Sequence, residues 1–252
     1  MASSDKENKK SVGGKIAFFI LLLVIISVAT GCLFAPVFNI SEVIVNSGDN
    51  VTAQEILNNA NIELGTNIFR INDSKIKEKI ETLSYVREAD IYRKFPDTIV
   101  LEINERNPYA IVKYLESFAI TDKYGYILEI KKENSGDLPI IYGLDSGSYV
   151  VGQKLEGNSL TKYENCAYLI EIANKTNFGY KFKEINYNDL TNVKLYIEEI
   201  DTDIIYGNIF IDDIEEKLNH LSSILKELNG KKGRIDMSDE NYLAKTVFTE
   251  KK

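Results

Sequence analysis

The segment Leu83–Ala110, with the sequence LSYVREADIYRKFPDTIVLEINERNPYA, decides the fold of the region around it. Its part from Val86 to Arg93 predicts a strand, and Lys94–Asp97 predicts a turn because it contains a proline beside an aspartate. Thr98–Glu105 then alternates apolar and polar residues, which predicts a second strand. The apolar positions of that second strand are Ile99, Leu101 and Ile103.

The residues before this segment predict one strand and two helices. Phe38–Val45 alternates imperfectly and predicts a strand. Thr52 and Glu55 have the spacing of a capping box, which predicts a short helix that runs through Ala60. Asn72–Ser74 supplies the side-chain acceptors that begin a second helix. The predicted order of elements is therefore β-α-α-β-β, and the apolar face of the second helix consists of Ile76, Ile80 and Leu83.

The residues after Pro108 predict a second, mixed α/β region. Helices are predicted over Ser159–Asn174, with Cys166 facing inward, and over Asp212–Asn229, which carries a stripe of leucines. The predicted strands are Ala110–Tyr114, Ser117–Thr121, Tyr126–Ile130, Leu138–Tyr142, Phe182–Tyr187, Val193–Glu198, Asp203–Ile211, Arg234–Met237 and Tyr242–Phe248. The fold class is α+β.

An uncharged apolar run, Ile16–Ala35, precedes these elements. It has 20 residues, and a helix needs about 20 to cross the hydrocarbon core of a bilayer. Four lysines and two acidic residues before it give a net charge of +2, which places this end in the cytoplasm by the positive-inside rule. We therefore predict a cytoplasmic tail (1–15), a single transmembrane helix (16–35) and two extracytoplasmic domains (37–108 and 109–252).

Two other interpretations of the apolar run remain open. A cleaved signal peptide usually has a shorter apolar core of about 7–15 residues. A lipoprotein signal is suggested by the small residues Thr30 and Gly31 before Cys32, although Ala29 stands where such signals usually carry Leu or Val. In that case Cys32 would be lipidated and would begin the mature chain.

Charge and cysteine content exclude several classes of protein. Subtracting the +2 of the tail from the chain's −8 leaves −10 on the rest, which argues against nucleic acid or an anionic lipid surface as the main partner. Other proteins are more plausible partners. The two cysteines, Cys32 in the apolar run and Cys166 far beyond it, exclude a framework of internal disulfides.

The sequence shows no motif for chemistry. Nucleophile-elbow, P-loop and dinucleotide fingerprints are absent, as are the C-x-x-C and H-E-x-x-H patterns that bind metals. His220 lies off the leucine stripe of its helix and is predicted to be solvated or partly packed, and Cys166 is predicted to be a small buried apolar residue. We therefore predict no catalytic residue, no cofactor, no metal and no small-molecule substrate.

The order of elements resembles that of the FtsQ/DivIB family of bacterial cell-division proteins. The first outer domain resembles the family's POTRA domain in FNISEVIV, in GTNIFRIN and in the Leu83–Ala110 segment, whose Glu-Arg-x-Pro-x-Ala motif is Glu105–Ala110. Three further motifs resemble those of the family. They are the Asp-x-x-Gly turn of Asp122–Gly125, the Leu-Pro-x-x-x-Gly motif of Leu138–Pro139 with Gly143, and the Ile-Asp strand near the end of the chain, Ile235–Asp236. The resemblance covers nearly the whole chain.

Membership of this family would imply a non-enzymatic scaffold at the division septum. Such a protein lies in the plasma membrane, binds the small division proteins FtsL and FtsB/DivIC outside it, and helps to regulate septal wall synthesis. In the family a late edge strand receives a strand of the partner. The residues that match it here are Tyr242, Leu243, Ala244, Thr246, Val247 and Phe248, and proline at Ala244 or Thr246 is predicted to weaken binding.

The alternative from another class is a membrane- or lipid-anchored wall-processing enzyme that uses a pair of carboxylates. With 38 acidic residues in the chain, such a pair has almost no specificity as a sequence signal.

Overall fold

The computed structural model describes residues 5–134, 136–144, 147–176, 178–189, 191–209 and 213–251. Ile211 and Asp212, predicted as the end of a strand and the start of a helix, lie outside these ranges. The chain forms two compact units. The first comprises the residues up to Thr82 together with Val86–Glu105, and the second comprises Leu83–Tyr85 and the residues from Arg106 onward.

The first unit begins with a long helix, α1 (Asp5–Phe34). Its stretch Gly14–Gly31 has a mean hydropathy of 2.3, and none of it is buried inside the protein. In the described part of the chain this is the one helix long and apolar enough to cross a membrane. A single 3₁₀ turn, Pro36–Phe38, follows it.

A three-stranded sheet forms the centre of the first unit. Its strands are β1 (Glu42–Asn46), β2 (Val86–Lys94) and β3 (Thr98–Glu105), in the order β1-β3-β2. β1 runs parallel to β3, and β2 runs antiparallel to it. β1 begins later than predicted because Phe38 belongs to the 3₁₀ turn and Asn39 makes only an isolated bridge with Asn67.

Two short helices pack on this sheet, α2 (Ala53–Ala60) and α3 (Asp73–Ile80). The capping box of Thr52 and Glu55 is present, and the Asn72 side chain accepts a hydrogen bond from the Lys75 amide. The predicted β-α-α-β-β order is confirmed. Leu83 does not belong to the second helix, because that helix ends at Ile80.

The second unit is built on a nine-stranded sheet with the order β12-β11-β10-β9-β8-β7-β4-β5-β6. The pairs β4/β7, β7/β8 and β10/β11 are parallel, and the others are antiparallel. Its strands are β4 (Pro108–Tyr114), β5 (Ser117–Asp122), β6 (Ile127–Lys131), β7 (Ile140–Tyr142), β8 (Glu184–Asn186), β9 (Val193–Ile197), β10 (Thr202–Gly207), β11 (Gly233–Asp236) and β12 (Val247–Glu250).

Two long helices supply much of the core of this unit, α4 (Gly157–Lys175) and α5 (Ile214–Leu228). Their inward faces are those predicted. Cys166 is fully buried, and burial raises the pKa of its thiol. Core residues from helices and sheet include Tyr163, Leu169, Leu218, Leu221, Val112, Ile141, Leu195, Ile204 and Ile235.

The predicted strand Tyr242–Phe248 is wrong in its first half. Tyr242–Lys245 forms a single helical turn, α6, and the strand begins only at Val247. The cause is tertiary packing: the Tyr242 ring is buried beside His220 of α5, with the ring centroids 5.8 Å apart. The Thr246 amide closes the turn by donating to the Tyr242 carbonyl at 3.2 Å.

Candidate partner-binding edge

β12 is the outermost strand at one edge of the nine-stranded sheet. It pairs antiparallel with β11, and the register sets Asp236 opposite Val247 and Gly233 opposite Glu250. Among the described residues, no strand pairs with its other side. At the opposite edge, the main chain of Ile127 in β6 is already bonded by Gly152 and Gln153. β12 therefore presents the less obstructed edge.

The register shows which main-chain groups of β12 face outward. The Lys251 amide donates to the Lys232 carbonyl at 3.0 Å, so these two residues form a hydrogen-bonded pair. Opposed residues in an antiparallel ladder alternate between bonded and non-bonded pairs. Val247 and Thr249 therefore bond to β11, whereas Phe248 and Glu250 direct their amide and carbonyl groups away from the sheet.

The side chains of β12 differ on its two faces. Phe248 is half-buried and packs against the core of the unit. Val247, on the other face, is 58% exposed, and Leu243 in the preceding turn is 55% exposed. The free edge is thus accompanied by two exposed apolar side chains, which are suited to contact with another protein.

The six residues predicted for this site lie partly in the strand and partly in the helical turn before it. Only Val247 and Phe248 lie in the strand. Tyr242 is a core residue, Leu243 and Ala244 are exposed on the helical turn, and the Thr246 hydroxyl donates to the Tyr242 carbonyl at 2.6 Å. Thr249 and Glu250, which the sequence prediction did not include, complete the strand. The signal that could have found them is the continued alternation through Val-Phe-Thr-Glu.

The end of β12 is held by ionic contacts with the turn before β10. The Lys251 ammonium lies 2.7 Å from the Asp201 carboxylate, and Lys232 lies 3.7 Å from it. The hydrogen bond from Lys251 holds the pKa of Asp201 below its usual range, with help from Lys232 and Tyr196. The last residues of the strand therefore depend on an ionised Asp201.

Replacing Asp201 with asparagine should loosen the end of β12. We expect hydrogen-exchange protection of the Lys251 amide at neutral pH to fall by roughly two- to fivefold, the size of an exposed ion pair. Because the pKa of Asp201 is lowered by folding, its contribution is present at neutral pH and is lost as the pH falls through that pKa. The difference between the two proteins should therefore vanish in acid.

The control for this prediction is Glu164→Gln on α4, which removes a different exposed ion pair, that with Lys154. It should leave the Lys251 amide unchanged. Equal protection in the Asp201 variant and the wild type at neutral pH would contradict the assignment.

The Glu105–Ala110 motif has a separate structural role in each unit. In the first unit, the Glu105 carboxylate accepts hydrogen bonds from the amides of Asn50 and Val51, at 2.9 and 3.4 Å. In the second unit, the Arg106 guanidinium lies 2.8 Å from the Asp122 carboxylate. Each charge thus stabilises a turn of its own unit.

The turn that Arg106 stabilises is the predicted Asp-x-x-Gly turn. The Asp122 carboxylate also accepts hydrogen bonds from the amides of Tyr124 and Tyr126, both at 2.9 Å. The Arg106 guanidinium stacks 3.5 Å above the centroid of the Tyr126 ring. Gly125 has φ +83°, a conformation that favours glycine. The motif is therefore explained by folding.

The two side chains that the sequence analysis compared with catalytic groups, those of His220 and Cys166, both take part in packing. His220 is partly packed, as predicted, and its Nε2 lies 3.3 Å from the Thr246 hydroxyl. Within the described ranges, no group of three or more His, Cys, Asp or Glu side chains is arranged to hold a metal ion. The feature of this unit best suited to binding is the edge of β12.

The β-α-α-β-β unit and the apolar helix before it define a class of proteins that carry a POTRA domain after an N-terminal apolar helix. A family model described as "POTRA domain, FtsQ-type" matches residues 38–106. The cell division protein DivIB of Clostridium tetani is 32% identical over 230 residues, which cover 88% of this chain and 83% of that protein. The chain belongs to the FtsQ/DivIB family of bacterial cell-division proteins.

Other relatives carry the same names. DivIB of Clostridium acetobutylicum is 29% identical over 212 residues, 83% of each chain. The cell division protein FtsQ of Syntrophotalea carbinolica is 28% identical over 215 residues, 83% of this chain and 73% of its own. The solved extracytoplasmic domain of DivIB from Geobacillus stearothermophilus matches at 18% identity and a TM-score of 0.30, covering 50% of this chain and 96% of that one. The role of the protein is in cell division.

Proposed function

We propose that the protein is a non-enzymatic scaffold of the division septum that binds a strand of a partner protein along the free edge of β12. The observation that supports this most directly is the unpaired edge, at which Phe248 and Glu250 direct main-chain donors and acceptors outward. The partners we propose are division proteins of the FtsL and FtsB/DivIC type, and the consequence of binding is regulation of septal wall synthesis.

The proposed topology follows from the charge of the tail and the length of the apolar run. Residues 1–15 lie in the cytoplasm, residues 16–35 cross the plasma membrane once, and both outer domains, 37–108 and 109–252, lie outside it. The partner strand is then added in the same compartment in which the two small division proteins expose their outer segments.

Strand addition accounts for both features of the edge. The main-chain groups of Phe248 and Glu250 would supply affinity by hydrogen bonding, and side chains on alternate faces would supply specificity. Val247 is exposed on one face of β12 and would contact an apolar side chain of the partner strand. The helical turn α6 limits the added strand, because Tyr242–Lys245 offers no extended backbone to pair with.

The test uses proline at Glu250, whose amide faces the free edge. Glu250→Pro removes that donor and sets the ring where the partner strand would lie, yet the amides that bond to β11 are kept. We expect binding of the outer segments of the two small division proteins to weaken by about tenfold or more, as expected for the loss of at least one hydrogen bond worth about 1–3 kcal/mol. Affinity would be measured with the full chain in detergent.

The matched control is Glu250→Ala, which removes the same side chain and keeps the amide. It should bind within about twofold of the wild type, since a rim carboxylate contributes little. Equal weakening in both variants would indicate a side-chain contact in place of strand addition. Unchanged binding in both variants would contradict the proposal that β12 is the partner site.

A further inference from the structure

The first unit carries an exposed group of apolar side chains, the aromatic patch, which consists of Val37, Phe38, Phe69 and Phe95. The rings of Phe38 and Phe69 meet edge to face at a centroid distance of 5.2 Å, and those of Phe69 and Phe95 stack at 5.4 Å. Exposure is 59% for Val37, 40% for Phe69 and 58% for Phe95. The patch is thus continuous, ordered by its own contacts and largely open.

The folding of the unit does not explain why the patch is apolar. Ile40, Ile68 and Ile99 of the same unit are almost fully buried, whereas the side chains of the patch are not. Phe69 and Phe95 both lie in turns, and the second lies in the turn between β2 and β3. Turns at a protein surface usually carry small or polar residues, so a run of exposed rings at this place indicates a contact with something apolar.

The chain itself holds the patch close to the end of α1. Only three residues separate Phe34, the last residue of α1, from Phe38. Even a fully extended chain covers at most about 3.6 Å per residue, or about 14 Å over these four steps. The actual path is tighter, because the Phe38 amide donates to the Ala35 carbonyl at 3.1 Å. In addition, the Arg70 guanidinium lies 5.0 Å above the centroid of the Phe34 ring.

The interfacial layer of a bilayer, between hydrocarbon and bulk water, is about 5–8 Å deep on each side. A patch tethered this closely to the end of a membrane span lies within or beside that layer. Tryptophan and tyrosine are enriched at that depth, and exposed phenylalanine rings, which lack their polar group, lose contact with water when they reach its inner side.

The charges around the patch are compatible with such a position. The carboxylate of Asp73 is bound by both terminal nitrogens of Arg93, each at 2.6 Å. The carboxylate of Asp97 accepts a hydrogen bond from the Ser41 hydroxyl at 2.5 Å. Both carboxylates are therefore engaged within the protein, and the basic side chains of Arg70 and Lys94, which adjoin Phe69 and Phe95 in the chain, are exposed.

We propose that the aromatic patch inserts into the boundary between headgroups and acyl chains of the outer leaflet, so that the first unit has a second, lipid-facing contact besides α1. This inference rests on the proposed function in one respect, namely that α1 crosses the membrane. The contact is apolar and needs no anionic lipid, which agrees with the acidic charge of the outer region. Its effect is to set the orientation of the first unit on the membrane surface.

The test uses the absence of tryptophan from the chain. Single tryptophans are introduced as Phe95→Trp and Phe69→Trp in the patch, Val24→Trp in the middle of α1, and Asp49→Trp, an exposed position of the first unit in the turn after β1, near Glu105 at the far end of β3. The full-length variants are reconstituted in phosphatidylcholine vesicles that carry bromine either near the headgroup or deep in the acyl chains.

We expect both patch tryptophans to emit at shorter wavelength than Asp49→Trp and to be quenched more by shallow than by deep bromines. Val24→Trp should show the opposite order of quenching, and Asp49→Trp should not be quenched. If Val24→Trp is quenched and both patch variants behave like Asp49→Trp, the patch does not touch lipid and the inference is overturned. If Val24→Trp is not quenched either, the membrane span of the proposed function has failed.

Discussion

Replacing Asp122 with alanine is expected to lower the free energy of unfolding of the second unit by about 3–5 kcal/mol, the usual cost of removing one partner of a buried ion pair. The Asp122 and Arg106 side chains are only 4% and 12% exposed. The variant leaves the Arg106 charge buried without its partner. It also removes the acceptor of two amides, those of Tyr124 and Tyr126, and unsatisfied buried donors add to the cost.

The measurement is chemical unfolding of the full chain in detergent, followed by circular dichroism, with hydrogen exchange of the β5 amides as the local readout. The control is Lys131→Ala on the neighbouring strand β6. It removes the exposed ion pair between Lys131 and Glu129 of the same strand. That pair is worth no more than about 1 kcal/mol. If the Asp122 variant costs no more than this control, the buried pair does not stabilise the turn.

A double variant separates charge burial from loss of the turn. Arg106→Met together with Asp122→Asn removes both charges and keeps an acceptor for the two amides. Because replacement of both partners of a buried ion pair is often nearly neutral, we expect it to be less destabilised than Asp122→Ala alone.

Replacing Gly233 with alanine is expected to displace β12 and to weaken partner binding. A Cβ atom at this position would overlap the Thr249 carbonyl oxygen and lie 2.6 Å from Cε2 of the Phe248 ring. The first of these is a main-chain atom, so the strand itself must move. Overpacking of this kind costs about 1–3 kcal/mol. The strand that can move is β12, because β11 is its only neighbouring strand in the described sheet.

We expect the Thr249 and Lys251 amides to lose hydrogen-exchange protection in this variant, and partner affinity to fall by about tenfold or more. Gly147→Ala is the matched control, since a Cβ there has no atom within 4 Å. It should be neutral or stabilise the protein by up to about 1 kcal/mol. Full partner binding by the Gly233 variant, with exchange showing that β12 has moved, would contradict the proposed site.

The two variants distinguish stability from binding. The Asp122 turn lies at the opposite end of the sheet order from β12, so its loss should affect the partner only through unfolding. The Gly233 substitution acts at the proposed binding edge itself. A binding defect larger than the stability defect is therefore expected for Gly233 and not for Asp122.

The sequence predicted the β-α-α-β-β unit better than the edge strand β12. Thr52, Glu55 and Asn72 form helix starts with partners at most three residues away, and the strands over Val86–Glu105 follow an apolar alternation that is visible locally. Such short-range patterns predict local structure because they do not depend on distant residues. The edge of β12 is different, because its start depends on how Tyr242 packs against α5.

The amino-acid sequence by itself determined the apolar helix, the β-α-α-β-β order and the inward faces of α4 and α5, because each is encoded by the spacing of neighbouring side chains. Only the tertiary structure decided that Tyr242–Lys245 forms a helical turn and that the main-chain groups of Phe248 and Glu250 face the free edge. The reason is physical: a four-residue strand contains too few side chains to define its own pairing. Its register depends on a bond to a distant residue, here that from Lys251 to Lys232.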